Sequence, residues 1–143
     1  MTQKHFSIEG NIEHFTIADI AKENPHFRKT LWTGDHAQIV IMTVPVGGEI
    51  GDEVHEHTDQ ILTFISGTGE ADLNGETHPI EAGDQCAVPA GAQHNFRNTG
   101  DEPLVLYTIY APPEHAADAE YATKEEADAA EASGEDTPPQ AQA

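Results

Sequence analysis

Gly83, Pro89, Gly91, His94 and Asn98 fall on the spacing G-x5-P-x-G-x2-H-x3-N within the segment GDQCAVPAGAQHNFRN of this 143-residue chain. Asp84 to Val88 reads as a short strand, Pro89-Ala90-Gly91 as a tight turn, and a second strand resumes at His94. Proline fixes φ on the way into the turn, and glycine supplies a backbone freedom that a Cβ would resist. The pattern therefore predicts a hairpin that delivers a histidine to the mouth of a sheet. A lone PxG turn would be an ordinary hairpin with an incidental histidine; the fixed positions around it make that reading the weaker one.

This segment matches, at every defined position, the second of the two signature motifs of the cupin family. The first motif, G-x5-H-x-H-x(3,4)-E-x6-G, lays onto GGEIGDEVHEHTDQILTFISG with Gly47 and Gly67 as its end glycines. That register puts Glu53 at the first histidine, His55 at the second and Gln60 at the glutamate. A competing register takes the visible His55-Glu56-His57 as the HxH pair, but it leaves only two residues before Gln60 and no glycine six positions before His55. The first register is preferred. The resemblance spans roughly Trp32 to Tyr110 and implies an all-β double-stranded β-helix, or jelly-roll barrel, with a metal inside it and frequently a homodimer. LWTGDHAQIVIMTVPVGGEIGDEVHEHTDQ and LYTIYAPPEH are similar to bacterial cupins grouped as mannose-6-phosphate isomerase-like. Arg97 is the only basic residue near either motif, thin provision for a phosphate dianion, so that label describes fold rather than reaction.

Residues 53, 55 and 57 alternate along one strand and share a face, which Gln60 rejoins after the Thr58-Asp59 bend. The family site has three imidazoles and one carboxylate. Glu53, His55, Gln60 and His94 would offer two imidazoles, one carboxylate and one amide oxygen; His57 enters the set if the second register holds. Ligand charge is unchanged and donor hardness rises, which favours Mn(II), Fe(II) or Ni(II), with Zn(II) as a further candidate. Asp59, beside Gln60, is the candidate general base or an acceptor behind the ligands, although alternation equally allows it to face outward. His5, His14, His26, His36, His78 and His115 lack mutual ligand spacing and are expected on the surface.

The net charge is −20, from 26 acids against 6 lysines and arginines. Nucleic acid is disfavoured as a partner because phosphate contacts need basic clusters, and an anionic membrane for the same reason. The acids run through the body as well as the C-terminal end, which suits a surface adapted to high salt. No stretch reads as a membrane span or signal peptide, and the lone Cys86 cannot form an internal disulfide. A cytoplasmic protein with one buried thiol is expected.

Residues 1–31 read as an N-terminal arm with a short helix, Ile17 to Glu23, ended by Asn24-Pro25. The barrel is expected over 32–112, with strands at Ala37–Val44, Ile61–Ile65, Glu70–Leu73, Cys86–Val88, His94–Arg97 and Leu104–Tyr110. Ala-rich acidic sequence predicts a C-terminal helix within 113–132, and 133–143 reads as a disordered, dispensable acidic tail. Phe64, Phe96, Tyr107 and Trp32 are expected mainly to fill the core. The function these features imply is a metal-dependent enzyme of oxygenase, isomerase or lyase type on a small, neutral or weakly acidic molecule. The alternative is a non-catalytic barrel that binds a small ligand or a metal.

Overall fold

The computed structural model describes residues 5–8 and 12–139. Alternation of side chains decides its architecture: in Asp59–Ser66, residues Gln60, Leu62 and Phe64 are buried while Asp59 and Ile61 face out. In chain order the elements are β1 (His5–Ile8), β2 (Ile12–Phe15), α1 (Ile17–Glu23), β3 (Arg28–Thr33), β4 (Gln38–Val44), β5 (Glu53–Val54) and β6 (Asp59–Ser66). They continue as β7 (Thr68–Leu73), β8 (Glu76–Glu81), β9 (Gln85–Val88), β10 (Gln93–Asn98), β11 (Leu104–Ala111), β12 (Glu120–Tyr121) and α2 (Lys124–Ser133).

One sheet has the order β12-β3-β4-β11-β6-β9 and the other β5-β10-β7-β8, while β1 and β2 form a separate hairpin. All pairings among the described residues are antiparallel. The two larger sheets pack face to face, with the rings of Phe64 and Phe96 meeting at 5.7 Å in a core that includes Val40, Met42, Leu62 and Leu106. Fully burying side chains of this size contributes roughly 1.5–3 kcal/mol each. The result is the expected all-β jelly-roll barrel.

Register sorts the barrel interior into a polar end and an apolar end. Gln38, Tyr110, Gln60 and Val88 form one row across β4, β11, β6 and β9; Val40, Thr108, Leu62 and Cys86 form the next; Met42, Leu106 and Phe64 form the third. The facing strand β10 runs the same gradient, from His94 to Phe96. Polar side chains carried by strands of both sheets therefore meet at one end of the lumen.

Helix α1 sits where Asn24-Pro25 was expected to end it, and its Ala21 packs with Ile41 and Val105. The C-terminal helix begins later than composition suggested. Thr123 Oγ1 accepts from the Glu126 N–H, Glu126 Oε2 accepts from the Ala122 N–H, and Gly134 at φ +84° ends the helix. This cap, rather than alanine content, sets the start, and the preceding residues form a loop and β12. Lys124 lies against Gly51, so α2 flanks the barrel beside the loop that leads into β5.

Two expectations need correction. Arg28–Thr33 belongs to the six-stranded sheet, not to an N-terminal arm, because pairing with β4 and β12 satisfies its backbone. The tail from Ser133 is not free over the described residues: Asp136 is buried and accepts from Arg28 Nη2 at 3.0 Å and from the Ala116 N–H at 2.8 Å. Residues 140–143 lie outside the described residues. The strand β8 carries no clear strand signal because of Pro79 and its charged residues; as the edge of the four-stranded sheet it tolerates both.

Candidate metal centre

Strands β5 and β10 pair so that Glu53 stands opposite His94, and His55 follows directly after β5. One ligand atom from each of Glu53, His55 and His94 lies within 4.8 Å of the other two. The tight turn between β9 and β10 fixes this geometry. Gly91, at φ +90°, donates its N–H to the His55 carbonyl at 2.8 Å, and Ala90 donates to Asp59 Oδ1 at 2.9 Å. The turn is thus stapled to both sides of the loop carrying His55. Asn95 secures the approach to β5, accepting from the Gly51 N–H at 2.9 Å and donating to Glu49 Oε1 at 3.1 Å.

Hydrogen bonding decides which imidazole nitrogens are free. His94 Nδ1 lies 3.0 Å from the Ala92 carbonyl oxygen, which can only accept, so Nδ1 carries the proton and Nε2 presents a lone pair. Burial holds the His94 pKa below its ordinary value, an effect opposed by the Ala92 carbonyl and reinforced by the charge of His55. His55 Nδ1 lies 3.0 Å from Glu114 Oε1, which again leaves Nε2 facing inward. Burial disfavours a charge on His55, but the Glu114 and Glu53 carboxylates outweigh it and raise the pKa to about 9. Burial likewise opposes ionisation of Glu53 and Glu114, yet the neighbouring His55 holds both below the usual carboxylate range.

His55 Nε2 stands 2.9 Å from Glu53 Oε2 without the alignment of a hydrogen bond. Gln60 is 2% exposed; its Nε2 donates to Thr108 Oγ1 at 3.1 Å and to Tyr110 Oη at 3.2 Å, while its Oε1 is buried without a partner. A buried polar atom left unsatisfied costs about 1–3 kcal/mol. Two imidazoles and a carboxylate whose ligand atoms converge within 4.8 Å are a donor set that a divalent cation can use, displacing the His55 Nε2 proton as it binds. The residues therefore fit the metal that the resemblance implies.

The other candidates lie elsewhere. His57 is exposed, and Asp59 is exposed with its carboxylate committed to the Ala90 N–H. Among the histidines expected on the surface, His115 is the exception that the structure corrects: it is 1% exposed, with Nδ1 2.7 Å from Asp136 Oδ2. A carboxylate drawn from the C-terminal segment makes that burial tolerable. Cys86 is half-buried against the core, where burial, aided by the Asp84 charge, raises its thiol pKa. Phe64 and Phe96 fill the core as expected, while Trp32 and Tyr107 are only half-buried. Glu114, Thr58, Tyr110 and Arg28 surround the centre or its neighbourhood and were not among the candidates. Glu114 is the penultimate residue of the LYTIYAPPEH stretch, but nothing in its local spacing signals a partner in the distant loop that carries His55.

Residues 40–110 match the Cupin domain family. A crystal structure of BH2720 from Bacillus halodurans superposes with a TM-score of 0.82 at 38% identity, covering 86% of this chain and 98% of that one. The chain belongs to the cupin superfamily. This cupin is also 41% identical over 117 residues to YrkC of Bacillus subtilis, covering 77% of this chain and 62% of that protein. A shorter match, 38% over 63 residues, covers 42% of this chain and 30% of a Bradyrhizobium protein named 5-nitrosalicylic acid 1,2-dioxygenase. The chain spans about three fifths of the length of YrkC.

Proposed function

We propose that this cupin is a metal-dependent enzyme acting on a small molecule, its ion held by Glu53, His55 and His94 with Gln60 Oε1 as a further donor. The observation that carries this reading is the convergence of one ligand atom from each of Glu53, His55 and His94, within 4.8 Å of one another, at the polar end of the barrel interior. Hard donors suit Mn(II), Fe(II) or Ni(II), and two imidazoles with one carboxylate is the donor set of non-haem Fe(II) oxygenases. The named dioxygenase relative supports oxygenase as the first reaction class to test, ahead of isomerase and lyase. A bound ion would supply Lewis-acid polarisation of a substrate oxygen. The protein's own part is to hold His94 neutral, keep both Nδ1 protons on acceptors and surround the ligands with buried side chains. Tyr110, whose hydroxyl accepts from Gln60, keeps its proton because burial, reinforced by the charge of Glu53, raises its pKa.

A second reading, a non-catalytic barrel that binds metal or a small ligand, draws support from the enclosure of His55 Nε2, which has no solvent contact. Metal analysis of protein purified without added metal, followed by an oxygen-consumption screen of the Fe(II)-loaded protein with small aromatic acids, separates the two. Metal-dependent turnover supports the enzyme; stoichiometric metal with no turnover across oxygenase, isomerase and lyase assays supports the binding barrel. Absence of any metal affinity removes both metal readings. A homodimer, which the family resemblance implies, is the proposed assembly, and light scattering of the purified chain tests it.

A further inference from the structure

Glu114 lies outside both sequence motifs and beyond the family-matched segment, yet it touches the centre. Its carboxylate is divided between Oε1, 3.0 Å from His55 Nδ1, and Oε2, which accepts from Thr58 Oγ1 at 3.1 Å. Both partners belong to the loop between β5 and β6, so one side chain grips the ligand and the chain that carries it.

The segment bearing Glu114 is itself held from two directions. Gln38, fully buried on β4, accepts at Oε1 from the N–H groups of Glu114 (3.1 Å) and His115 (2.9 Å), and its Nε2 donates to the His115 carbonyl at 2.8 Å. The next side chain, His115, is anchored to Asp136, which also takes Arg28. A carboxylate on so constrained a backbone is placed, not adaptable.

We propose that Glu114 is the positioning residue of the metal centre: by accepting from His55 Nδ1 it fixes the ring and its tautomer so that Nε2 is delivered to the ion. The proposal rests on the metal reading given above. A carboxylate behind a ligating imidazole holds its orientation, and loss of such a partner typically lowers metal affinity about 10–100-fold. Glu114 touches neither the ion nor a substrate in this account; it acts through His55.

The test uses the full chain, titrated with Ni(II) and loaded separately with Co(II) for its visible absorption spectrum. Glu114→Ala is expected to weaken Ni(II) binding about 10–100-fold and to move the Co(II) bands, because the imidazole is no longer aimed. Glu114→Gln keeps an acceptor oxygen without the charge and is expected to fall between wild type and Glu114→Ala. Thr58→Val, which frees the other carboxylate oxygen, is expected to give a smaller shift in the same direction. Should Glu114→Ala be unstable, the Gln and Thr58 variants decide. Wild-type affinity and an unchanged Co(II) spectrum in the Glu114 and Thr58 variants, with binding lost in His94→Ala, would overturn the positioning role and leave the metal site standing. Wild-type affinity in His94→Ala would instead overturn the metal reading beneath it.

Discussion

His55 and His115 are two buried histidines built alike and doing different work. Each packs near-perpendicular to the Tyr110 ring, at centroid distances of 5.8 Å and 4.8 Å. Each has Nδ1 on a carboxylate, Glu114 or Asp136, and each leaves Nε2 buried without a hydrogen bond. The company they keep separates them. His55 faces His94 and Glu53, so ligand atoms converge. At His115 the carboxylate is shared with Arg28, a fixed cation that repels a metal ion and already neutralises Asp136. A buried histidine–carboxylate pair is therefore not in itself a metal site; the presence or absence of a permanent cation decides between a ligand and an ionic lock.

The largest expected effect falls on the lock. Asp136→Ala leaves Arg28 and His115 buried without their anion and is expected to cost about 3–5 kcal/mol, read from urea denaturation. Ending the chain after Ala132 removes the same carboxylate and should cost a similar amount; unchanged stability in both would show that the lock holds nothing. Metal binding at the His55 cluster is expected to fail instead in His55→Ala and His94→Ala.

The two clusters also differ in pH response. In the metal-free protein, the His55 pKa is raised from its ordinary 6.5 to about 9. The stability this contributes is fully present below pH 6.5 and is lost as pH rises through about 9. Asp136 is shifted the other way: burial raises its pKa, but His115, the Ala116 N–H and Arg28 more than reverse this. Its contribution is complete above the ordinary carboxylate range and lost as pH falls through the lowered value, a loss that Glu53 and Glu114 share. Stability profiles of wild type and His55→Gln check this. The alkaline decline is expected to shrink in the variant; an identical decline would place its source elsewhere.

Smaller effects should mark residues outside both clusters. Asp59→Ala is expected to cost about 0.5–1.5 kcal/mol, the worth of its bond to the Ala90 N–H, without altering metal affinity. A loss of affinity comparable to that of His94→Ala would restore it as a residue of the centre. The gentlest change is salt: with a net charge of −20, melting temperature is expected to rise across a KCl series as self-repulsion is screened. A flat series would remove salt adaptation from the account.

Much of the barrel was legible because alternation and glycine turns are local signals, and β4, β6, β7, β9, β10 and β11 lie where those signals put them. The two-residue strands β5 and β12 are too short to show a period, and β3 opens with Arg28-Lys29, which reads as surface until Asp136 is seen beside Arg28. The centre divides in the same way. His94 and His55 are announced by spacing within one turn and one loop, and Glu53 and Gln60 follow from register. Glu114 meets His55 across 59 residues and Asp136 meets Arg28 across 108, distances at which one sequence carries no pairing signal. His115 was misplaced because a histidine without nearby ligand spacing gives no hint of a distant carboxylate.

The central claim is that Glu53, His55 and His94, and not the visible His55–His57 pair, hold the ion. Parallel titration of Glu53→Ala and His57→Ala with Mn(II), Fe(II) and Ni(II) tests it most directly. The account predicts that Glu53→Ala, which removes the only carboxylate of the set, lowers affinity at least tenfold, the scale of a lost contact worth about 1.4 kcal/mol or more, while His57→Ala binds as wild type does. Strong binding by Glu53→Ala together with loss of binding in His57→Ala would contradict it.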